Sequence, residues 1–363
     1  MKKELKVPSE VIAQFNNWHS PKRGIANPEN QTNDVWSWLV KTRAWPYWAH
    51  KAAGSGEKHS PGWCFDRFGQ SETQLPDGTA VYIGGEHEDH YDPDFYIYND
   101  VIVVRSDGSV EIYGYPTNVF PPTDFHSVTL YGDEIFILGG LRYHEDRDHN
   151  DTLVFRLRLS DFSIHRVATF GESPPWLNEH QAELDPSGRK IICSGGKVTH
   201  RPTKRRVENL VTWEFDLGSK SWSVAEAKPF QRWLLVREDE SYNDLWGIGR
   251  VVCASRSVRK GKIAEGYQSE FAKRGHVVDA ELFDARFTPP IPHSPIEPDP
   301  DCSEYHVHRF LVDGVTVRIV EGMHEIAVTV EGQLSSDMLE ALERHGLETY
   351  SALEGVPYKS IHL

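Results

Sequence analysis

The sequence predicts a mainly β protein, a β-propeller with partly degenerate blades followed by a small C-terminal α+β module. Three observations predict it. Gly84-Gly85, Gly139-Gly140 and Gly195-Gly196 each close an alternating apolar run, AVYIGG, IFILGG and IICSGG. These pairs recur at about 55 residues, a period that belongs to propeller blades or solenoids. A tight-turn signal precedes every run: Pro76-Asp77-Gly78, Tyr131-Gly132-Asp133 and Asp185-Pro186-Ser187-Gly188. Finally, 11 Trp, 14 Tyr and 16 Phe suit short, aromatic-rich strands.

Residues 1–60 form an N-terminal segment open to more than one reading. Asp34 is placed to cap a helix from Val35 to Arg43, with Val35, Trp38, Leu39 and Thr42 on one face. The same stretch, Asn33-Asp34-Val35-Trp36, also resembles the strand that follows each loop of the repeat. A third reading closes the ring with strands from both chain ends.

The repeat occupies residues 61–288. Each copy reads as strand, turn, Gly-Gly strand, long loop, strand, turn, strand, which is the four-stranded antiparallel blade. VIVVRSDGSVEIYGY ends the first copy as a hairpin around Asp107-Gly108. His126 and His180 stand at equivalent positions ahead of the Gly-Gly strands. Repetition points to a structural hydrogen bond, because a catalytic group need appear only once. Residues 225–288, with Asn243-Asp244-Leu245-Trp246, are expected to supply a diverged fourth blade.

GDEIFILGG, His126-Ser127 before it, and the Asn-led strand with a late aromatic resemble the kelch repeat over about residues 61–224. The resemblance implies a propeller, and in that family the loops mostly meet partner proteins. Some kelch propellers are enzymes: copper oxidases, sugar-acid isomerases and iron-dependent specifier proteins of plants. The specifier spacing Glu-x3-Asp-x3-His is met at Glu88 and Asp92, but Tyr96 stands at the third position.

Between Thr288 and Ser303 six prolines make residues 289–304 a stiff connector and a predicted domain boundary. Residues 305–363 then read as three strands, the first two joined at Asp313-Gly314. A helix follows, capped by Ser335 or Ser336 and stopped at Gly346.

In a propeller, loops after the same strand emerge on one face. The first post-Gly-Gly loop carries Glu86, His87, Asp89, His90 and Asp92, and the second Arg142, His144, Asp148 and His149. The third adds Arg201 and Arg205. Two functions follow from this rim. The first is an intracellular binding protein that presents these charged loops to a partner protein. The alternative is an enzyme acting on a small polar, sugar-acid-like substrate, with a divalent metal ion held by His87, His90, His144 and His149. The plainest reading is a solvated rim whose opposite charges pair weakly; a protein-binding rim ranks next, ahead of a metal or substrate site. There is no GxSxG, P-loop or HExxH to name a common hydrolase or NTPase route.

The net charge of −15 repels nucleic-acid backbones. It also suggests a third role, neutralising a basic bacterial toxin. No run of about 18 apolar residues provides a membrane span, and MKKELKVPSEVIAQF lacks the apolar core of a signal peptide, so a cytoplasmic protein is expected. Cys64, Cys193, Cys253 and Cys302 are scattered without CxxC spacing, and Cys64 and Cys193 read as buried fillers. His306 and His308 share one strand face without further ligands at a metal-site spacing.

Overall fold

A computed structural model describes residues 5–55, 61–88, 95–147, 151–256, 268–276, 278–296 and 307–363. The chain is mainly β and divides into two compact units, Met1–Ala227 and Lys228–Leu363.

The first unit opens with three helices: α1 (Ser9–Trp18), α2 (Asp34–Thr42) and α3 (Pro46–Ala53). Residues 34–42 thus take the helical reading, and the cap is Asn33, whose side chain accepts from Trp36 N–H at 2.9 Å. Burial decides against a strand here. Val35, Trp36, Trp38, Leu39 and Val40 all enter one core cluster, and Trp36 stacks on Trp63 at 5.0 Å. Strand β1 (Glu29–Asn30) pairs antiparallel with β7 (Val110–Gly114), so the N-terminal segment also contributes a sheet edge.

Three sheets follow, one for each sequence repeat. The first runs β1-β7-β6-β3-β2, with β2 Ser71–Gln74, β3 Ala80–Ile83 and β6 Val101–Val104. The second runs β11-β10-β9-β8, from β8 (Ser127–Tyr131) and β9 (Glu134–Leu138) to β10 (Val154–Arg158) and β11 (Ile164–Arg166). The third runs β12-β19-β18-β15-β14, with β14 Gln181–Leu184, β15 Lys190–Ser194, β18 Val211–Asp216 and β19 Ser221–Ala227. Its outermost strand, β12 (Phe170–Gly171), pairs parallel with β19. None of these sheets closes on itself.

First strands of successive sheets are stitched together by a repeated device. Phe125 N–H donates to Gly69 O at 2.9 Å, and Glu179 N–H donates to Phe125 O at 2.8 Å. All three residues hold positive φ, at 61°, 49° and 58°. The next residues add a side-chain tie: Ser71 Oγ to His126 Nε2 at 2.8 Å, and Ser127 Oγ to His180 Nε2 at 2.7 Å. Burial pushes both imidazoles down, to about 3 and about 4, so they are neutral struts at pH 7.

The second unit is a six-stranded sheet in the order β21-β22-β23-β24-β20-β25 with helices α4 (Asp244–Arg256), α5 (Ala280–Ala285) and α6 (Ser336–Glu354). Its strands are β20 (Gln231–Arg237), β21 (Ser294–Pro295), β22 (Val307–Val312), β23 (Val315–Glu321), β24 (Ile326–Val330) and β25 (Tyr358–His362). The unit boundary lies at 227/228, not in the proline-rich stretch, and among the described residues of 228–288 the one sheet strand, β20, belongs to the C-terminal sheet and not to a further four-stranded sheet. The cause is β20, where Trp233, Leu234, Leu235 and Val236 are all buried between β24 and β25. A continuous apolar run is the mark of a central strand and does not say which sheet it enters. Asn243-Asp244-Leu245-Trp246, expected to belong to a diverged fourth blade, instead spans the start of α4 at Asp244, where Glu354 accepts from the N–H groups of Asp244 at 3.1 Å and Leu245 at 2.8 Å. Gly346 does not stop α6. It lets the helix approach β20, since a Cβ there would lie 2.5 Å from Leu235 Cδ1, and Gly355 at φ 66° ends the helix.

Glu321, on β23, is 3% exposed and lies against Gly249 of α4, where an added Cβ would stand 2.1 Å from Oε1. Desolvation, and then the nearby Asp284 carboxylate, push its carboxyl up to about 9. The folded state therefore keeps it protonated at pH 7 while the unfolded chain ionises. Its contribution to stability is greatest below about pH 4.5 and is lost as pH rises towards 9. Glu321→Gln is expected to raise the unfolding free energy at pH 7 by about 3 kcal/mol and to flatten its pH slope in that window. Urea titrations at pH 5, 7 and 8.5 check both, and an unchanged slope would show that Glu321 is ionised in the folded protein.

Candidate functional site

The loops that follow the Gly-Gly pairs are positioned by the pairs themselves. Gly84 and Gly139 have φ of 58° and 68°, and a Cβ would lie 2.3 Å from Thr123 O and 2.1 Å from Leu177 O respectively. With no side chain in the way, Gly85 N–H donates to Thr123 O at 2.8 Å and Gly140 N–H to Leu177 O at 3.0 Å. Each sheet thus docks the entry segment of the next, Thr123–His126 and then Leu177–His180, beside its own post-Gly-Gly loop.

Neighbouring segments of these loops are joined by hydrogen bonds. The first forms a hairpin, β4 (Glu86–His87) with β5 (Tyr96–Ile97). The second makes a short 3-10 turn, His144–Asp146. The third folds into a small sheet of β13 (Leu177–Asn178), β16 (Lys197–Thr199) and β17 (Arg206–Glu208). Ile97 N–H donates to Tyr143 Oη at 2.8 Å, joining the first loop to the second. Arg201 Nη2 donates to Asp151 Oδ1 at 3.3 Å, joining the third to the segment after the second.

The expected site residues divide into three groups. Asp89, His90, Asp92, Asp148 and His149 lie outside the described residues, which leaves His87 and His144 of the four imidazoles. His144 is exposed; His87 is buried, its ring edge-on to Trp45 at 5.7 Å. Among the described residues no three His, Cys, Asp or Glu side chains stand close enough to share a metal ion. Arg201 is exposed and Arg205 half-buried on the third loop. Glu86 is half-buried, and desolvation, then Asp124 and Glu88, push its carboxyl up to about 7.

Arg142 departs most from a solvated rim charge. It is 3% exposed, at φ 63°, with its guanidinium 5.2 Å from the Trp176 ring centroid and 5.6 Å from that of Phe155. Burial holds it down to about 10. Its backbone N–H donates to Asp124 Oδ1 at 2.6 Å, while its Nε and Nη2 are buried without a hydrogen-bond partner. Asp124 is itself fully buried, and desolvation raises its carboxyl. Arg147 and Arg206 lie near enough to Asp124 to oppose that rise. Arg206 Nη2 donates to Asn178 Oδ1 at 2.9 Å and to Glu179 Oε1 at 2.6 Å, and Lys197 Nζ pairs with Glu179 at 2.9 Å.

Sequence reasoning gave no site role to Asp124, Asn178 or Trp176, the last matching Trp63 only as a repeat position. One signal for two of them was present: Asp124 and Asn178 occupy the same repeat position, two residues ahead of His126 and His180. Other candidates fall into structural roles. Cys64 and Cys193 are buried and their thiols are pushed up to about 12, which leaves them unreactive at neutral pH. His308 stacks on Phe287 at 3.8 Å, and His306 lies outside the described residues.

No helix among the described residues is long and apolar enough to cross a membrane. No family model matches the chain, and no curated protein matches it. Among solved structures it is similar to one described as "Structure of YjhT", at 12% identity and a TM-score of 0.34. That match covers 46% of this chain and 57% of the other, so the chain spans little more than half of that structure's length. At this level the likeness carries no argument about fold or activity.

Proposed function

We propose that residues 61–227 form a kelch-like β-propeller that serves as a recognition module, its rim docking a partner protein. The repeated Gly-Gly pairs, the three successive sheets and the hydrogen bonds between neighbouring loop segments support the propeller reading. One observation carries the binding function: a set of exposed aromatic side chains around the Glu86–His87 hairpin. Trp45, Tyr47, Trp48, Phe68 and Phe95 are 45%, 47%, 38%, 60% and 42% exposed. Trp45 lies against His87, Phe68 pairs through its backbone with Glu86, and Phe95 precedes the strand that pairs with His87. Single exposed apolar residues are ordinary, but several exposed aromatics on segments that touch one hairpin are the side chains that protein-binding surfaces favour.

Each well-seated aromatic anchor in such an interface contributes on the order of 1–2 kcal/mol or more, about tenfold in affinity. Phe68→Glu combined with Trp48→Glu is therefore expected to remove partner capture by at least that factor, with the thermal midpoint unchanged. Quantitative affinity capture from a lysate, wild type against variant, with circular dichroism as the control, reads the result. An unchanged set of captured proteins would sink the proposal.

A further inference from the structure

A second feature of the first unit is independent of that docking surface. Buried polar atoms without a partner gather at the junction between the second and third sheets. They are Thr123 Oγ1, Asp124 Oδ2, Arg142 Nε and Nη2, Trp176 Nε1, Asn178 Nδ2 and Arg206 Nε. Contacts already described bind these residues into one neighbourhood. Arg142 N–H bonds Asp124, its guanidinium lies at the Trp176 ring, Asn178 adjoins Leu177 whose carbonyl takes Gly140 N–H, and Arg206 bonds Asn178. Buried polar groups in folded proteins are paired with few exceptions, and each unpaired one is costly. Five of these orphaned atoms are donors, and the two of Arg142 belong to one guanidinium.

We propose that this junction is a binding site for a small carboxylate, gripped by the Nε and Nη2 edge of Arg142. Those two donors lie on the same edge of the planar guanidinium, at the spacing of the two oxygens of a carboxylate, so both orphans are satisfied by one bidentate pair. Trp176 Nε1, Asn178 Nδ2 and Arg206 Nε supply further donors for the oxygen lone pairs that remain. The Trp176 and Phe155 rings hold the guanidinium in place, so little side-chain entropy is lost on binding. Three arginines, Arg142, Arg147 and Arg206, set a positive local field around a buried Asp124. Burial raises that carboxyl, while Arg147 and Arg206 oppose the rise.

The full chain is titrated with acetate, pyruvate and sulfate at constant ionic strength. Calorimetry and the side-chain Nε–H resonance of Arg142 report the outcome. A saturable response to the carboxylates is expected, with displacement of the Arg142 Nε–H signal. Arg142→Lys keeps the charge but loses the fork, and is expected to weaken acetate or pyruvate at least tenfold. Trp176→Phe keeps the ring under the guanidinium and deletes one donor; a loss of about threefold to tenfold is expected with the fold intact. No saturable response to any probe would mean that water alone satisfies these donors, and would overturn the site. Sulfate binding as tightly as the carboxylates would overturn the ligand class, and equal affinity in Arg142→Lys would overturn the role of the fork.

Discussion

Arg67→Met is expected to destabilise the first unit by about 3–5 kcal/mol, the largest loss of any charged position in it. Both partners of its ion pair are removed from water: the side chain of Arg67 is 0% exposed and that of Asp100 is 6%. The pair is bidentate, with Arg67 Nη1 and Nη2 on the two oxygens of Asp100, the second at 3.0 Å. Arg67 also donates from Nε to Cys64 O at 2.6 Å and from Nη1 to Gly84 O at 2.9 Å, and it lies 3.4 Å from the Tyr98 ring centroid. It therefore fastens the chain entering the first sheet to the glycine pair that ends β3. Methionine fills similar volume but leaves Asp100 buried, with Trp63 Nε1 the remaining donor to its carboxyl among the described residues, at 3.0 Å. Adding Asp100→Asn removes that carboxyl, so the double variant is expected to lose less than the sum of the two single losses. Urea unfolding of the four proteins decides it. A single variant within about 1 kcal/mol of wild type would show that water reaches Asp100 when Arg67 is absent.

The contrast between what the sequence discloses and what it hides follows the range of the interactions involved. The glycine pairs, the turns before them and the paired His126 and His180 are local signals repeated at a fixed period, and each takes the role its pattern implies. The bonds between neighbouring segments, Ile97 to Tyr143 and Arg201 to Asp151, join stretches that the repeat sets at equivalent places. Burial is a different matter. Arg142 sits in LRYHEDRDHN, among charged neighbours, and reads as a solvated loop residue. Only the packing of Trp176 from the next repeat and Phe155 from its own encloses it. β20 was misplaced because Trp233-Leu234-Leu235-Val236 satisfies any central strand, and its true neighbours, β24 and β25, lie far along the chain. Gly346 was read as a helix stop because a glycine after an amphipathic run usually is one. The close passage of Leu235 that explains it cannot be seen in the local sequence.

The glycine pairs provide the sharpest test of how the sheets are joined, because equivalent positions have different surroundings. Gly139 and Gly195 are the first glycines of the second and third pairs and have almost the same φ, 68° and 65°. An alanine at either place must adopt a left-handed conformation, which costs roughly 1–2 kcal/mol. At Gly195 that is the whole effect, since a Cβ there meets nothing within 4 Å. At Gly139 the Cβ would lie 2.1 Å from Leu177 O and 3.1 Å from the His180 ring, both belonging to the entry segment of the third sheet. Neither neighbour is a flexible side-chain end. Leu177 O already accepts from Gly140 N–H at 3.0 Å, and His180 is fixed by Ser127 at 2.7 Å. The clash is relieved only by separating the second sheet from the third, which breaks both bonds. Gly139→Ala is therefore expected to destabilise by more than about 4 kcal/mol, in the range reserved for identifiable structural lesions, and Gly195→Ala by about 1–2 kcal/mol. Chemical denaturation measures the difference, and hydrogen exchange locates it. Protection in β8 and β14 should fall in the Gly139 variant and persist in the Gly195 variant. Equal losses at the two positions would mean that backbone conformation alone, and not sheet-to-sheet docking, accounts for the glycine pairs.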